Sequence, residues 1–381
     1  MEGSTTFMKD QGDLDQPSPW VERVLMGPGP SNPYPEVIEA FTRPVMGHLD
    51  GAFLDLLDET CDRLRTVFRT GNTLTFPVSG TGSAGMEAAF VNVVHEGDAV
   101  VVGVNGVFGE RMCDVAARCG ANVVRVDADW GEPLDPQRIL DAHPAPAVIA
   151  VVHAETSTGV RNDLAELGGA KGDALLLADC VTSLGGIDVR LDDWGVDIAY
   201  SGTQKCLGVP PGLAPVSVSP RAVERMRCRP QSWYFDMGMI ADYVTGGGAR
   251  AYHHTAPISM IYALHAGLGV VLDEGLEESH SRHQRCGDML QDELEARGFS
   301  LAARAGARLP QITAVRVPES RLPPSMTEAD VRRTLLDRYG IEIGGGLGPW
   351  AGRCWRIGSM GHTARRRNVT LVLAALDEVL G

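Results

Sequence analysis

The sequence predicts an α/β protein in which a large domain, built on a mostly parallel sheet, precedes a smaller α+β C-terminal domain. Three observations carry this reading. Between residues 73 and 220, short apolar runs alternate with helix-like segments, the pattern of a parallel sheet covered by helices. Several of these runs, such as 99–104 and 148–152, are continuously apolar, as strands buried on both faces must be. Beyond residue 260 the rhythm changes to long helical segments followed by short strands. A chain of 381 residues with 44% hydrophobic and 22% charged residues is long enough for two domains and apolar enough to bury a large core.

Taken in order, residues 1–22 are polar and aperiodic and read as an N-terminal arm. Residues 36–43 read as a short helix stopped by Pro44, and 53–68 as a longer one with Leu54, Leu57 and Leu64 at helical spacing. Strands are expected at 74–78, 99–104, 122–126, 148–152, 175–178, 198–200 and 214–217, with helices at 85–94 and 111–118 among them. Residues 260–297 form one long helix or two shorter ones. Strands at 311–317 and 354–357 and helices at 328–338 and 368–380 complete the chain. The domain division is therefore 23–274 and 275–381. No internal repeat interrupts it.

Charge and cysteine content exclude several classes. Thirty-four basic against 49 acidic residues give a net charge of -15, which disfavours nucleic acid or an anionic membrane as partner. Eight cysteines (Cys61, Cys113, Cys119, Cys180, Cys206, Cys228, Cys286, Cys354) include no CxxC pair and read as reduced thiols of a cytoplasmic protein. Cys206, beside a lysine, reads as a small packing residue in preference to a reactive thiol. No secretory leader, membrane span or peroxisomal tripeptide is expected; the last residues are Val379-Leu380-Gly381.

The chemistry centres on one lysine. The apolar run ending at Tyr200 passes through Ser201-Gly202-Thr203-Gln204 to Lys205, then into the turn Cys206-Leu207-Gly208-Val209-Pro210-Pro211-Gly212. An amine at a strand end, with apolar chain behind it and a stiff turn after it, suits Schiff-base formation with a cofactor aldehyde. A solvated surface lysine fits the same stretch equally well. Asp179 ends another buried-type strand 26 residues earlier, so the two strand ends can be neighbours. A carboxylate beside such an amine suits pyridoxal phosphate, whose ring nitrogen it keeps protonated.

Other strand ends carry polar turns. Ser79-Gly80-Thr81-Gly82-Ser83-Ala84-Gly85 follows a strand and opens a helix, a place for a phosphate. The Gly80-x-Gly82-x-x-Gly85 spacing also matches a dinucleotide fingerprint, but Asp98 begins the second strand instead of ending it, against that reading. Phe108 is presented at a turn, Thr156 and Glu155 at another. Glu155 resembles a general base, a role that Lys205 already supplies. His253-His254 lacks the accompanying ligands of a zinc site. Arg356, between apolar neighbours, needs an anion, either a substrate carboxylate or a structural partner.

In order along the chain, from Met26-Gly27-Pro28-Gly29-Pro30-Ser31-Asn32 to Arg356-Ile357-Gly358, these motifs resemble the class V, fold-type I pyridoxal-phosphate aminotransferases, in the alanine-glyoxylate or serine-pyruvate branch. The resemblance implies that Lys205 bears the cofactor, pyridoxal 5'-phosphate, and that Asp179 contacts its ring nitrogen. It assigns Thr81, Gly82, Ser83 and Gln204 to the phosphate, Phe108 to stacking on the ring and Thr156 to cofactor and substrate. It also assigns Arg356 to the substrate α-carboxylate. Tyr252 and Thr255, in Tyr252-His253-His254-Thr255, would bind the phosphate held by a neighbouring subunit, which implies a homodimer with shared sites. Relatives often carry histidine, tryptophan and serine where this chain has Ser83, Phe108 and Thr156.

The expected activity is transamination between a small amino acid, alanine- or serine-like, and a 2-oxo acid such as glyoxylate or pyruvate. The alternative keeps the cofactor but breaks another bond: β-elimination, or decarboxylative deamination of a cysteine-type conjugate in a biosynthetic pathway. A binding protein on a degenerate cofactor fold would have lost Lys205, Asp179 or Arg356, and all three are present.

Overall fold

The computed structural model describes residues 22–245 and 250–381; most of the N-terminal arm lies outside the described residues. The first elements are β1 (Val24–Leu25), α1 (Pro35–Ala40), α2 (Gly51–Phe68), β2 (Leu74–Ser79) and α3 (Gly82–Val93). Then come β3 (Ala99–Val104), α4 (Val107–Arg118), β4 (Asn122–Asp127), α5 (Pro136–Leu140) and β5 (Val148–Val152). A small hairpin, β6 (Ala154–Glu155) with β7 (Val160–Arg161), leads through α6 (Ala165–Ala170) to β8 (Leu175–Asp179), β9 (Ile198–Tyr200) and β10 (Leu213–Val218). Helices α7 (Pro220–Arg225), α8 (Met237–Val244), α9 (Ile258–Glu274) and α10 (Leu276–Ala296) follow. The chain finishes with β11 (Ser300–Leu301), β12 (Ile312–Arg316), α11 (Glu328–Tyr339), β13 (Ile341–Glu342), β14 (Gly344–Gly345), β15 (Cys354–Gly358) and α12 (Arg366–Leu380).

Seven strands make the main sheet in the order β2-β10-β9-β8-β5-β3-β4. Only β10 runs against its neighbours, so β2 regains the direction of the rest. The consequence for function is direct: the carboxyl ends of β2, β3, β5, β8 and β9 share one edge, where ligands of such sheets bind. β5 and β8 are buried along their whole length. Each fully buried Val, Leu or Ile there contributes about 1.5–3 kcal/mol from area removed from water. Gly85 lets α3 close onto the sheet: a Cβ there would stand 3.0 Å from Ala214 Cβ and 3.1 Å from Tyr200 Cβ.

A four-stranded antiparallel sheet, β11-β12-β15-β14, is packed by α10, α11 and α12 around Trp355, Ile357, Leu290 and Val372. Gly275, at φ +88°, separates α9 from α10, so the helical stretch at 260–297 is two helices. β1 pairs with β13, and Met26 packs in the same cluster as Trp355. The first described residues thus belong to the C-terminal sheet's surroundings.

Two helices begin earlier than local pattern predicts. α3 starts at Gly82, and α4 at Val107, which places Phe108 in the first turn of a helix and not in a loop. The cause lies elsewhere in the chain: Glu155 accepts from Phe108 N at 3.1 Å and Gly109 N at 3.3 Å, capping α4 across a sequence separation that no local signal reveals.

Candidate active site

Lys205 sits in the turn after β9 and is only 8% exposed, which settles the question of a solvated lysine against it. Its Nζ donates to the carbonyl of Pro28. Burial, followed by the positive charge of Arg356, pushes the amine down to about 8 from its usual value. Gly29, at φ +105°, stands against the side chain: a Cβ would lie 2.6 Å from Nζ. Only glycine leaves the lysine its place.

Asp179 ends β8 in register with Tyr200 at the end of β9. Its Oδ1 accepts from Val181 N at 2.8 Å and its Oδ2 from the Tyr200 hydroxyl at 2.9 Å. Burial pushes this carboxyl up to about 7, against the opposing pull of those two hydrogen bonds. A buried carboxylate with no cation paired to it among the described residues is a group waiting for a positive charge.

Both residues line a cavity of about 120 Å³ together with Thr81, Gly82, Ser83, Phe108 and Gln204. Seven of the eleven residues expected from sequence therefore meet in one place. Met86, Arg111 and Val181 line it as well. The Thr81 hydroxyl does not cap α3, which leaves the N-terminus of that helix open toward the cavity. Gln204 Oε1 is buried without a partner. A larger cavity, about 1040 Å³, lies around Tyr34, Arg282 and Arg365, but neither Lys205 nor Asp179 reaches it.

Thr156 and Arg356 do not line the cavity, although the charge of Arg356 acts on Lys205. Thr156 shares a hydrogen bond with the Thr182 hydroxyl at 2.5 Å, and its carbonyl lies 3.5 Å from an Arg356 nitrogen. Arg356, 7% exposed, is fixed by donation from Nε to Gly345 O at 2.8 Å. Its hydrogen bonds go to backbone carbonyls, and among the described residues no carboxylate pairs with it. Burial lowers its pKa from the ordinary guanidinium value.

Tyr252 and Thr255 are not brought to this cavity. Tyr252 is 55% exposed, and its hydroxyl lies 3.2 Å from the Thr255 hydroxyl. The segment is tied back through His254 Nε2 to Ser79 Oγ at 3.0 Å and His253 Nε2 to Trp233 O at 3.1 Å.

Glu155 is fully consumed as an acceptor. Besides the α4 amides it takes Ser157 N at 3.0 Å and Ser157 Oγ at 2.6 Å. Its work is to hold Phe108 in place. Sequence reading missed Tyr200, Thr182 and Arg111. Tyr200 was recoverable from the parallel register of two strand ends, and Arg111 from its place one helical turn after Phe108. The Arg111 guanidinium lies 4.9 Å from the Phe108 ring centroid and donates to Ser83 Oγ at 3.0 Å. Nothing local marks Thr182.

A family model described as "Aminotransferase class-V" matches residues 31–351. The chain belongs to the class-V aminotransferases. Its curated relatives include the (S)-ureidoglycine–glyoxylate transaminase of Bacillus subtilis (strain 168), 36% identical, with 94% of this chain and 90% of that protein covered. They also include the alanine–glyoxylate aminotransferase of Drosophila melanogaster, 39% identical, covering 94% and 92%. The crystal structure of the alanine–glyoxylate aminotransferase from Nostoc sp. superposes with a TM-score of 0.91 at 43% identity, covering 98% of this chain and all of that one. This class-V aminotransferase thus has the fold-type I architecture, with its strand ends, helix N-terminus and buried lysine assembled at one sheet edge.

Proposed function

We propose that the enzyme uses pyridoxal 5'-phosphate to move an amino group from a small α-amino acid, alanine- or serine-like, to a 2-oxo acid such as glyoxylate or pyruvate. It does so as a cytoplasmic homodimer. The observation that carries this reading is the convergence of a buried amine, Lys205, and a buried carboxylate, Asp179, in one cavity, with the buried guanidinium of Arg356 close enough to act on the amine, neither Asp179 nor Arg356 being in an ion pair among the described residues. The relatives' names supply the substrate class.

The residues fit the cofactor. The open N-terminus of α3 at Thr81, Gly82 and Ser83, with the Gln204 side chain lining the same cavity and its amide nitrogen as donor, would hold a phosphate. Phe108 offers a ring face, and Asp179 offers the anion that a protonated ring nitrogen requires. When bound, the cofactor supplies an aldehyde for the amine and an electron-poor ring that draws charge away from the substrate Cα.

The chain's own side chains do the rest. Lys205, with its pKa near 8, is available in neutral form at mildly alkaline pH, both to attach to an aldehyde and to carry a proton to and from Cα. Arg356 takes the α-carboxylate bidentately. That fixes which Cα bond faces the lysine. Tyr200 and Val181 keep the Asp179 carboxylate oriented. Phe108, held by Glu155, and Thr156, held by Thr182, bound the space left for the substrate side chain. Tyr252 and Thr255 serve the cofactor phosphate of the partner, a reading supported by their exposure and distance from their own cavity. Residues 23–274, apart from the β1 segment that packs with the C-terminal sheet, act as the cofactor-binding domain and 275–381 as the domain that brings Arg356.

The test is amino-group transfer from donors labelled at nitrogen. With alanine or serine and glyoxylate, the label is expected in glycine at stoichiometric yield. Label released as ammonia, with no glycine formed, would replace transamination by elimination or decarboxylative deamination.

A further inference from the structure

Both polar groups of the backbone at Gly361 are held by α10, one by Arg282 and one by the face that carries His283. The Gly361 N–H donates to His283 Nε2 at 2.9 Å, and its carbonyl accepts from Arg282 at 2.8 Å. Arg282 also donates to Ala364 O at 3.0 Å and is anchored on Glu274. His283 is fully buried, with Nδ1 2.7 Å from Ser279 O. A backbone N–H can only donate, so Nε2 is the acceptor and Nδ1 carries the proton that it gives to Ser279. The imidazole is neutral and locked in one tautomer from both sides. Burial, reinforced by the adjacent Arg282 charge, pushes its pKa down to about 3.

On its other side Gly361 rests on the turn that carries the reactive lysine. At φ +51°, a Cβ there would lie 3.0 Å from Cys206 O and 3.1 Å from both Lys205 O and Gly208 N. The contact is backbone on backbone. Gly361 also lies only a few residues beyond Arg356, on the chain leaving β15. One short segment therefore joins the strand that bears the guanidinium to the turn that bears the amine, and α10 presses it into place. Ser279 extends the same face, donating from Oγ to Gly185 O at 2.8 Å.

We infer that His283, assisted by Arg282, is a positioning residue for the transfer reaction. By fixing Gly361 against the Lys205 turn it sets the spacing between the Lys205 amine and the Arg356 guanidinium. That spacing determines where the substrate Cα sits when its carboxylate is clamped. The inference rests on the roles proposed above for Lys205 and Arg356. Such spacing matters because a misplacement of about 1 Å costs a reaction about 10²-fold. A residue that merely filled the core would slow all amines alike, whereas one that sets this spacing matters most for amines that carry a carboxylate.

The test uses the cofactor-loaded enzyme and compares single-turnover amine transfer from alanine with that from ethylamine, which lacks the carboxylate. In His283→Leu the alanine-to-ethylamine rate ratio is expected to fall by about tenfold or more, set against the cost of such a misplacement. His283→Gln, which keeps an acceptor toward Gly361 and a donor toward Ser279, should hold the ratio within about threefold of the parent. An unchanged ratio in folded His283→Leu overturns the inference. Should that variant not fold, Arg282→Met carries the test: it frees the Gly361 carbonyl, and a ratio reduced by about threefold or more supports the inference on the same grounds, while an unchanged ratio overturns it. Arg356→Ala is run in parallel. If it leaves the ratio intact, the assignment of Arg356 fails, and that failure is distinct from any result at His283.

Discussion

Replacing Asp179 with asparagine should stabilise the cofactor-free protein at pH 8 while disabling the enzyme. The carboxyl is pushed up to about 7 by burial, against about 3.9 in an unfolded chain. Between those values the folded state takes up a proton that the unfolded state does not bind. Stability from this group is therefore full below about pH 4 and is lost as pH rises to about 7. With about three units of difference and 1.36 kcal/mol per unit, the loss is at most about 4 kcal/mol. Asparagine mimics the protonated form: it can accept from Val181 N and donate to the Tyr200 oxygen, so both hydrogen bonds survive. Urea unfolding of the two apo-proteins, followed from pH 4 to pH 8, should show equal stability at the acid end and an advantage of about 2–4 kcal/mol for Asp179→Asn at the alkaline end. With the cofactor loaded the order should reverse, because the variant has no charge to offer the ring nitrogen, and turnover should drop by about 10²-fold or more. An apo stability difference that does not change with pH would refute the reasoning.

Three further outcomes follow from the same geometry. Capture of a simple aldehyde by Lys205 in the apo-protein, trapped by borohydride and located by peptide mapping, should rise with pH through about 8; a midpoint near the ordinary lysine value of about 10.4 would contradict a desolvated amine. Arg356→Lys should lower kcat/KM for α-amino acids by about 10²-fold, because a point charge cannot replace a two-pronged hydrogen bond to a carboxylate, and steady-state kinetics would show it. Gly29→Ala should fold but lose at least about tenfold in the rate of cofactor attachment, since its Cβ would stand 2.6 Å from Lys205 Nζ and its φ of +105° disfavours a side chain; stopped-flow absorbance reads the rate.

Much of this site was legible because the chemistry sits at strand ends, where sequence pattern speaks clearly. Lys205 and Asp179 each follow an apolar run, and a parallel sheet brings such ends together wherever its strands neighbour. The loop after β2, which lines the same cavity, was readable for the same reason. What escaped was set by contacts between distant segments. Phe108 looked like a loop residue because the carboxylate that caps its helix belongs to Glu155, in the third strand further along the chain. Glu155 in turn looked like a candidate base because its four hydrogen-bond donors lie partly in α4. Tyr200 read only as the last apolar residue of a strand; its hydroxyl acquires meaning from its register with Asp179. Arg356 was open between substrate and salt bridge, and its hydrogen bonds to the carbonyls of Gly345 and Thr156 come from segments far away in the sequence. Whether 260–297 holds one helix or two was left open by its periodicity, and Gly275 at φ +88° decides it.

The central claim is best tested by a single turnover. The cofactor-loaded protein is mixed with alanine or serine in the absence of any oxo acid, and the absorbance is followed while products are quantified. The account predicts conversion of the cofactor from its aldehyde to its amine form, one equivalent of oxo acid per site, and then silence until glyoxylate restores the starting spectrum. Continuous release of ammonia or carbon dioxide, with the aldehyde form persisting, would contradict it.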